Sequence, residues 1–85
     1  MEGAIWKSYK GHEIRWVYGG RGGEYELYVD GEPAFIRCRK LVKGWVIEHY
    51  RKYANQWDRV FDEYFETRAK AMNKTVRIEV DSWLE

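Results

Sequence analysis

Apolar and polar residues alternate through most of the chain, in short runs that glycine-containing turns separate. Runs rich in Trp, Tyr, Val and Ile between such turns are typical of antiparallel strands. The turns are the dipeptides Lys10-Gly11, Asp30-Gly31 and Lys43-Gly44 and the glycine run at 19–23. We therefore predict strands near residues 4–9, 12–18, 24–30, 34–42, 45–53 and 57–61.

The turns also predict which side chains share a face of the sheet, because successive side chains of a strand point to opposite faces. We take each glycine dipeptide as a two-residue hairpin turn and give the glycine run a four-residue loop. The opposed pairs are then Ile5 with Trp16, Trp16 with Tyr25, Ile14 with Leu27, Leu27 with Ala34, Tyr25 with Ile36, Val42 with Trp45 and Cys38 with His49. The independent turns agree on one apolar face, which comprises Tyr25, Leu27, Val29, Ala34, Ile36, Cys38, Val42, Trp45 and Ile47.

The C-terminal segment changes to the spacing of an amphipathic helix. One stripe of the helical wheel contains Ala69, Met72, Val76, Val80 and Trp83. Thr67 is a suitable N-cap, and Phe65 before it can pack against the first turn. A strand at 75–80 is the alternative interpretation, because apolar and polar residues also alternate there. We favour the helix because a strand leaves the two ends of the stripe unexplained.

These elements predict an α+β fold, in which an antiparallel β-meander of five to six strands carries one C-terminal helix on its inner face. The chain has 85 residues, of which 45% are hydrophobic and 18% aromatic. Large rings bury much apolar area per residue, so a chain of this length can close a core as one domain. We expect a single domain over 1–85, with strands across about 4–61 and the helix at about 67–83.

Charge and cysteine content narrow the expected environment. The net charge is +1, so no global field draws the protein to nucleic acid or membrane, although basic residues concentrate at 37–52. The single cysteine, Cys38, cannot form an internal disulfide, which fits a reducing compartment. Because we find neither a signal peptide nor a membrane-length apolar stretch, we expect a cytoplasmic protein without a membrane partner.

The glycine run Gly19-Gly20-Arg21-Gly22-Gly23 has three interpretations. A phosphate cradle requires a helix directly after the glycines, whereas here an alternating strand follows. An arginine-glycine motif of the RNA-binding type consists of many copies in a disordered tail, and this chain has one copy between strands. We favour a hairpin loop whose glycines supply positive φ angles, with Arg21 at its tip.

No constellation for catalysis or metal binding emerges from the sequence. The predicted register places Cys38 beside His49, but both point into the predicted core, where a catalytic thiolate has no pocket. The set His12, His49 and Cys38 lacks the short paired spacings of zinc sites. A group of acids surrounds a helix start, where the helix dipole favours them, namely Asp58, Asp62, Glu63 and Glu66. We therefore expect no enzyme, no cofactor and no metal.

The outer face of the predicted sheet carries aromatic rings and basic residues that no predicted element covers. Exposed apolar patches of this kind often mark interaction sites, and Tyr, Trp and Arg are the residues that most often anchor interfaces. The partner-binding residues that we predict are Trp6, Tyr28, Phe35, Arg37, Arg39, Tyr50, Arg51 and Lys52.

Two classes of partner fit this face. Aromatics with nearby arginines could stack single-stranded bases, or they could form a protein interface, including a homodimer. The low net charge and the acids Glu24, Glu26 and Glu48 on the same face favour a protein. We expect the pairs Glu24 with Arg37 and Arg39 with Glu48 to be ordinary surface ion pairs. In a third alternative, tight curling of the meander buries the rings against one another.

The segment WDRVFDEYFETRAKAM at 57–72 combines a short strand, an Asp-bearing turn, Phe-x-Thr and an Ala-containing helix. In this it resembles small accessory proteins of bacteriophages. The resemblance covers about the last third of the chain and contains no diagnostic motif. It implies a stoichiometric binder or inhibitor of host machinery, such as a defence nuclease complex, and it assigns no site residue.

Overall fold

Hairpin connections arrange the strands of the protein into one antiparallel sheet. The structure is a computed structural model that describes residues 4–19 and 23–83, so Arg21 lies outside the described residues. The elements are β1 (Ala4–Tyr9), β2 (His12–Tyr18), β3 (Tyr25–Val29), β4 (Glu32–Leu41), β5 (Gly44–Arg51), β6 (Gln56–Arg59) and α1 (Arg68–Trp83). The sheet has six strands in sequence order, and α1 packs against it. The predicted α+β meander with one C-terminal helix is confirmed.

Two of the predicted turns have the geometry expected of tight hairpins. Lys10 and Gly11 have φ angles of 51° and 85°, and Asp30 and Gly31 have φ angles of 53° and 83°. Two successive positive φ angles match the twist of the flanking strands. The Asp30 carboxylate also accepts hydrogen bonds from His12 Nδ1 at 2.7 Å and from the Glu13 N–H at 2.8 Å. Both hydrogen bonds lower the pKa of Asp30, and the bond from His12 has the larger effect.

The prediction of a turn centred on Lys43-Gly44 was wrong by one residue. Leu41 pairs with Gly44, so the turn is centred on Val42 and Lys43, and Val42 is fully exposed instead of facing the core. Gly44 serves a different purpose. A Cβ atom at this position would lie 2.8 Å from the carbonyl oxygen of Phe65, so the close approach of that segment requires glycine.

This shift corrects the pairs predicted between β4 and β5. Cys38 lies opposite Ile47 and is buried, whereas His49 lies opposite Ile36 and is exposed. Moving the turn by one residue changes the register by two, so the predicted inner face survives except for Val42, although its pairs change. The outward-facing Val46 is nevertheless fully buried. Both of its neighbours in β5 form backbone hydrogen bonds to the segment after β6, which therefore runs beside it.

In two further hairpins the observed register differs from the predicted one by two residues. The pairing of β3 with β4 is irregular between Glu26 and Tyr28, and beyond it Tyr25 lies opposite Cys38 rather than Ile36. The pairing of β2 with β3 also shifts by two residues. Trp16 therefore lies opposite Leu27 instead of Tyr25, and Ile14 opposite Val29 instead of Leu27, whereas the pair of Ile5 with Trp16 is confirmed. In both cases the predicted face is conserved.

The helix buries a face slightly rotated from the predicted stripe. Residues 75–80 are helical, and the Lys70 N–H donates to the Thr67 hydroxyl at 3.2 Å, so the predicted helix and its N-cap are confirmed. Ala69 is exposed, and Ala71 and Thr75 are buried in its place, whereas the side chain of Trp83 lies outside the described ones. The helical residues of the core are Ala71, Met72, Val76 and Val80, and they pack with Ile14, Trp16, Leu27, Val29, Ile36, Cys38, Ile47 and Phe65.

Within the described part of the chain, no helix combines the length and the apolar character that a membrane crossing requires.

Candidate functional site

Side chains on the sheet face opposite α1 form a row across the strands. Arg15 of β2 lies opposite Trp6 of β1 on one side and opposite Tyr28 of β3 on the other. Tyr28 in turn lies opposite Pro33 of β4. At the other edge of the sheet, Tyr50 of β5 lies opposite Trp57 of β6, and Phe35 completes the row between the two halves. We name these residues the aromatic row: Trp6, Arg15, Tyr28, Pro33, Phe35, Tyr50 and Trp57.

Phe35 has an unusual backbone conformation for an aromatic residue in a strand. Its φ angle is 59°, in the left-handed region that glycine and asparagine populate more easily. The other non-glycine residues with positive φ among those described are Lys10, Asp30 and Asn55, and each lies in a turn. Phe35 instead lies within β4, where the register with β3 shifts, and 44% of its surface is exposed. Its neighbours Ala34 and Ile36 pack in the core, so the ring of Phe35 lies on the outer face with the row.

A groove of about 300 Å³ opens beside Phe35 on this face. Leu27 and Ile36 of the core contribute to its lining, which is therefore apolar as well as aromatic. Its other walls come from Glu26, Tyr28, Pro33, Phe35, Tyr50 and Trp57. We name this cavity the ring groove.

A second concave surface, of about 380 Å³, shares Phe35 and Tyr50 with the ring groove. It extends toward the turn between β5 and β6 and includes Lys52 and Tyr53, whose ring is fully exposed. The rings of Phe35 and Tyr50 therefore border both concave surfaces.

Cations lie over several rings of the row. The Arg15 guanidinium lies 5.1 Å from the ring centre of Trp6 and 5.0 Å from that of Tyr28, so it is held between them. The Lys52 ammonium lies 5.4 Å from the ring centre of Phe35. A cation over an aromatic face is attracted by the ring quadrupole, and this attraction orients both partners. The predicted rings are thus neither free on both faces nor buried solely against one another.

Beside the row lies a network of ion pairs. Arg37 donates to Glu24 at 2.7 Å and to Glu48 at 2.6 Å, and Arg39 donates to Glu48 at 3.0 Å. The predicted pairs are confirmed, but they are not ordinary surface pairs, because the side chain of Glu48 is only 8% exposed and that of Arg37 only 17%. Arg37 also lies over the ring of Trp57 at 4.2 Å. The Arg37 guanidinium therefore contacts the aromatic row through the ring of Trp57.

The predicted site residues divide into two groups. Trp6, Tyr28, Phe35, Tyr50 and Lys52 lie on the row or over one of its rings. The arginines are engaged elsewhere, since Arg37 and Arg39 belong to the network and Arg51 pairs with Asp58 at 2.9 Å.

The predicted partner-binding residues did not include Arg15, Pro33, Trp57 and Tyr53, although alternation placed Arg15 on the outer face. Pro33 fell outside the predicted strand, which began one residue later. Trp57 fell inside a predicted strand whose register could not be derived, because no tight turn connects it to β5. The signal for Arg15 was its alternation with Ile14 and Trp16 in β2, which places it on the outer face.

The alternative chemistry finds little support in the geometry. Burial raises the pKa of the Cys38 thiol to about 12, so the thiol is protonated at neutral pH and a poor nucleophile. His49, which sequence analysis placed beside it, lies opposite Ile36 instead. In residues 4–19 and 23–83, no group of three or more His, Cys, Asp and Glu side chains is arranged to hold a metal ion.

Comparisons of the chain with protein-family models, with curated proteins and with solved structures found no match.

Proposed function

We propose that the chain is a non-enzymatic protein-binding module, and that a segment of the partner docks on the aromatic row and in the ring groove. The observation that carries this proposal is Phe35, a half-exposed ring on the outer face whose backbone has a left-handed conformation inside a strand. Such a conformation costs roughly 1–2 kcal/mol, and strained residues cluster at binding and active sites. Stability alone does not explain an aromatic residue at this position.

The shape and lining of the groove support a protein ligand. Concave, mostly apolar sites with a few polar groups suit an inserted side chain, and fully desolvated aromatic pockets anchor protein interfaces. No element among the described residues covers the ring groove. A docked segment would therefore remove the exposed parts of Phe35 and Trp6 from water.

A protein ligand fits the ring geometry better than a single-stranded nucleic acid does. Base stacking requires free ring faces, whereas Tyr28, Phe35 and Trp57 each carry a cation over the ring. Glu26, which has no ion pair in the described part of the chain, lines the groove and would repel a phosphate backbone. Nucleic-acid binding is the alternative outcome of the tests below.

The resemblance of residues 57–72 to small bacteriophage accessory proteins makes a host protein the candidate target. In this proposal, the chain acts in the host cytoplasm as an inhibitor or adaptor, for example of a defence nuclease complex.

The test is a comparison of three immobilised proteins in a bacterial lysate: the wild type, Phe35→Ala and Tyr64→Ala. Tyr64 is a matched control, because it is 42% exposed, close to the 44% of Phe35, but lies outside the row. We expect specific proteins, identified by mass spectrometry, to be retained by the wild type and by Tyr64→Ala but lost from Phe35→Ala. Thermal unfolding should show that Phe35→Ala costs only about 1 kcal/mol, the value for a half-buried ring.

Identical retention by wild type and Phe35→Ala would contradict the proposal. Retention that disappears after nuclease treatment would favour the nucleic-acid alternative. That alternative also predicts binding of random oligonucleotides that weakens steeply as salt rises, so no binding at low salt would eliminate it.

A further inference from the structure

We infer that the segment bound in the ring groove has an apolar core between two acidic residues, and that Arg15 and Lys52 bind the two carboxylates. This inference rests on the proposed function and names the chemistry of its partner.

The basic residues near the groove differ in whether a carboxylate already pairs with them. Arg37, Arg39 and Arg51 each have such a partner within 3.0 Å. In the described part of the chain, neither Arg15 nor Lys52 forms an ion pair. Both are instead positioned by aromatic rings, which leaves their charge uncompensated.

The guanidinium of Arg15 is held in an orientation that suits the binding of a planar anion such as a carboxylate. The rings of Trp6 and Tyr28 hold its guanidinium, so little side-chain entropy remains to be lost on binding. Its Nε atom is buried and has no hydrogen-bond partner. A guanidinium in a fixed orientation is the group that best recognises a carboxylate by two parallel hydrogen bonds. An acidic side chain of the partner would accept hydrogen bonds from this guanidinium.

Each cation lies over a ring that lines the ring groove, Arg15 over Tyr28 and Lys52 over Phe35. Arg15 belongs to β2, whereas Lys52 follows β5 and lies over Phe35 of β4. Two to three strand spacings correspond to roughly 10–14 Å, which an extended segment covers in about three to five residues. The ring groove, with its apolar floor, lies beside the two rings that carry them. The ligand therefore has two acidic residues about three to five positions apart, with an apolar or aromatic side chain between them.

Glu26 limits how acidic the core of the ligand can be. Its carboxylate lines the groove between the two cations, so a charge at the centre of the ligand would be repelled while acids at the ends are attracted. This arrangement distinguishes an acid–apolar–acid segment from a uniform polyanion.

The test is a selection from a displayed library of random twelve-residue peptides, with the wild-type protein as bait. We expect enriched peptides to have an apolar or aromatic residue between two acids at the stated spacing. A synthetic peptide of the enriched sequence is then titrated against Arg15→Gln, Lys52→Gln and the control Lys70→Gln, whose exposed pair with Glu66 lies at the start of the helix. Each of the first two variants should weaken binding about fivefold, the effect of one exposed ion pair, and the control should not.

Three companion measurements make the test specific. Replacing the two acids of the peptide by serine should weaken its binding to the wild type and abolish the difference between the wild type and the two variants. Arg15→Lys, which keeps the charge, should retain part of the affinity that Arg15→Gln loses, whereas an equal loss in both variants would mean that Arg15 contributes packing and not charge, and would overturn its part in the inference. Glu26→Gln should bind the peptide more tightly than the wild type.

Enriched peptides that are basic or uncharged, yet bind the wild type and not Phe35→Ala, would overturn this inference and leave the proposed function standing. Failure to enrich any peptide would overturn it as well, and the lysate comparison would then decide the proposed function separately. A dimer in sedimentation equilibrium that Phe35→Ala dissociates would assign the groove to a second copy, and oligonucleotide binding would assign it to nucleic acid. Either result overturns the inference.

Discussion

At the residue scale, Glu48 is the centre of the charged part of the outer face. It accepts from two guanidinium groups while almost no water reaches it, since its side chain is 8% exposed. A carboxylate in such a place costs desolvation energy that only paired hydrogen bonds offset. Through Glu48, the positions of Arg37 and Arg39 are fixed, and Arg37 in turn lies over the ring of Trp57.

We predict that Glu48→Ala is strongly destabilising. It removes the buried carboxylate that Arg37 and Arg39 share, and breaking the pair with Arg37, whose side chain is 17% exposed, costs roughly 3 kcal/mol. The matched control is Glu66→Ala, which removes an exposed pair with Lys70 and should cost less than about 0.5 kcal/mol. Urea unfolding of both variants measures the difference. Similar losses in the two variants would show that the network of Glu48 is as solvated as a surface pair.

At the scale of elements, the irregular pairing in β4 determines the shape of the binding face. The register of β3 and β4 shifts by two residues near Phe35, so side chains on both sides of the shift keep their faces. Between them Phe35 has a positive φ angle, and its ring lines the ring groove. The same strand therefore contributes Ile36 and Cys38 to the core and Phe35 to the row.

The conformation of Phe35 predicts an inverted order of stability for two variants. In a strand, glycine is normally less stable than alanine by roughly 0.5–1 kcal/mol. At a left-handed position, alanine pays a penalty of roughly 1–2 kcal/mol that glycine avoids. We therefore expect Phe35→Gly to be more stable than Phe35→Ala by about 0.5–1 kcal/mol in urea unfolding.

Val17 of β2 is the control for this prediction, because it lies on the same face within a regular strand. Val17→Gly should be less stable than Val17→Ala, the normal order. If alanine were the more stable residue at both positions, the left-handed conformation of Phe35 would be refuted.

Glycine turns made most of the fold predictable from the sequence. The main error of the prediction, the turn at Lys43-Gly44, also came from a glycine. Asp30-Gly31 defines a hairpin by its own backbone preference, so its register could be derived locally. Gly44 looks identical in sequence, but it is required by the backbone of Phe65, which approaches it from a distant part of the chain. The residues around Gly44 in the sequence give no indication that the Phe65 backbone lies so close to it. The buried face of α1 was misplaced for a related reason, because the packing of Ala71 and Thr75 depends on the sheet.

The candidate site was predictable in outline, since strand alternation alone places Trp6, Tyr28 and Tyr50 on one face. What could not be predicted is the pairing of charges. Whether Arg37 is buried among carboxylates or free for a partner depends on the distances between three strands. The ring groove also depends on the irregularity at Phe35, which the sequence does not signal.

At the scale of the whole molecule, polar contacts fasten the helix to the edge of the sheet. Lys7 of β1 donates to Asn73 of α1 at 2.6 Å, and Lys10 donates to Asp81 near the end of the helix at 2.7 Å. The Tyr9 hydroxyl also donates to Asp81, at 3.3 Å. These contacts join the first strand to the last element, so they close the fold on the side away from the aromatic row.

The Lys10 hydrogen bond lowers the pKa of Asp81 below its ordinary value of 3.8, and the same contact raises the pKa of Lys10. The sign of the pH dependence follows from these directions. Stability from ionised Asp81 is fully present above pH 3.8 and is lost as the pH falls through the lowered pKa. Stability from charged Lys10 is present below its ordinary pKa of 10.5 and is lost as the pH rises through the raised one.

We predict that Asp81→Asn is less stable than the wild type at neutral pH and that the two converge in acid. The amide keeps the size of the side chain but lacks the charge, so only the wild type loses this contribution below pH 3.8. Thermal unfolding between pH 7 and pH 2.5 measures the difference in midpoint. Asp62→Asn is the control, because Asp62 is exposed and makes no hydrogen bond or ion pair within the described residues, so its difference from the wild type should be small at every pH. A difference for Asp81→Asn that stays constant into acid would mean that the charge of Asp81 does not hold α1 to β1.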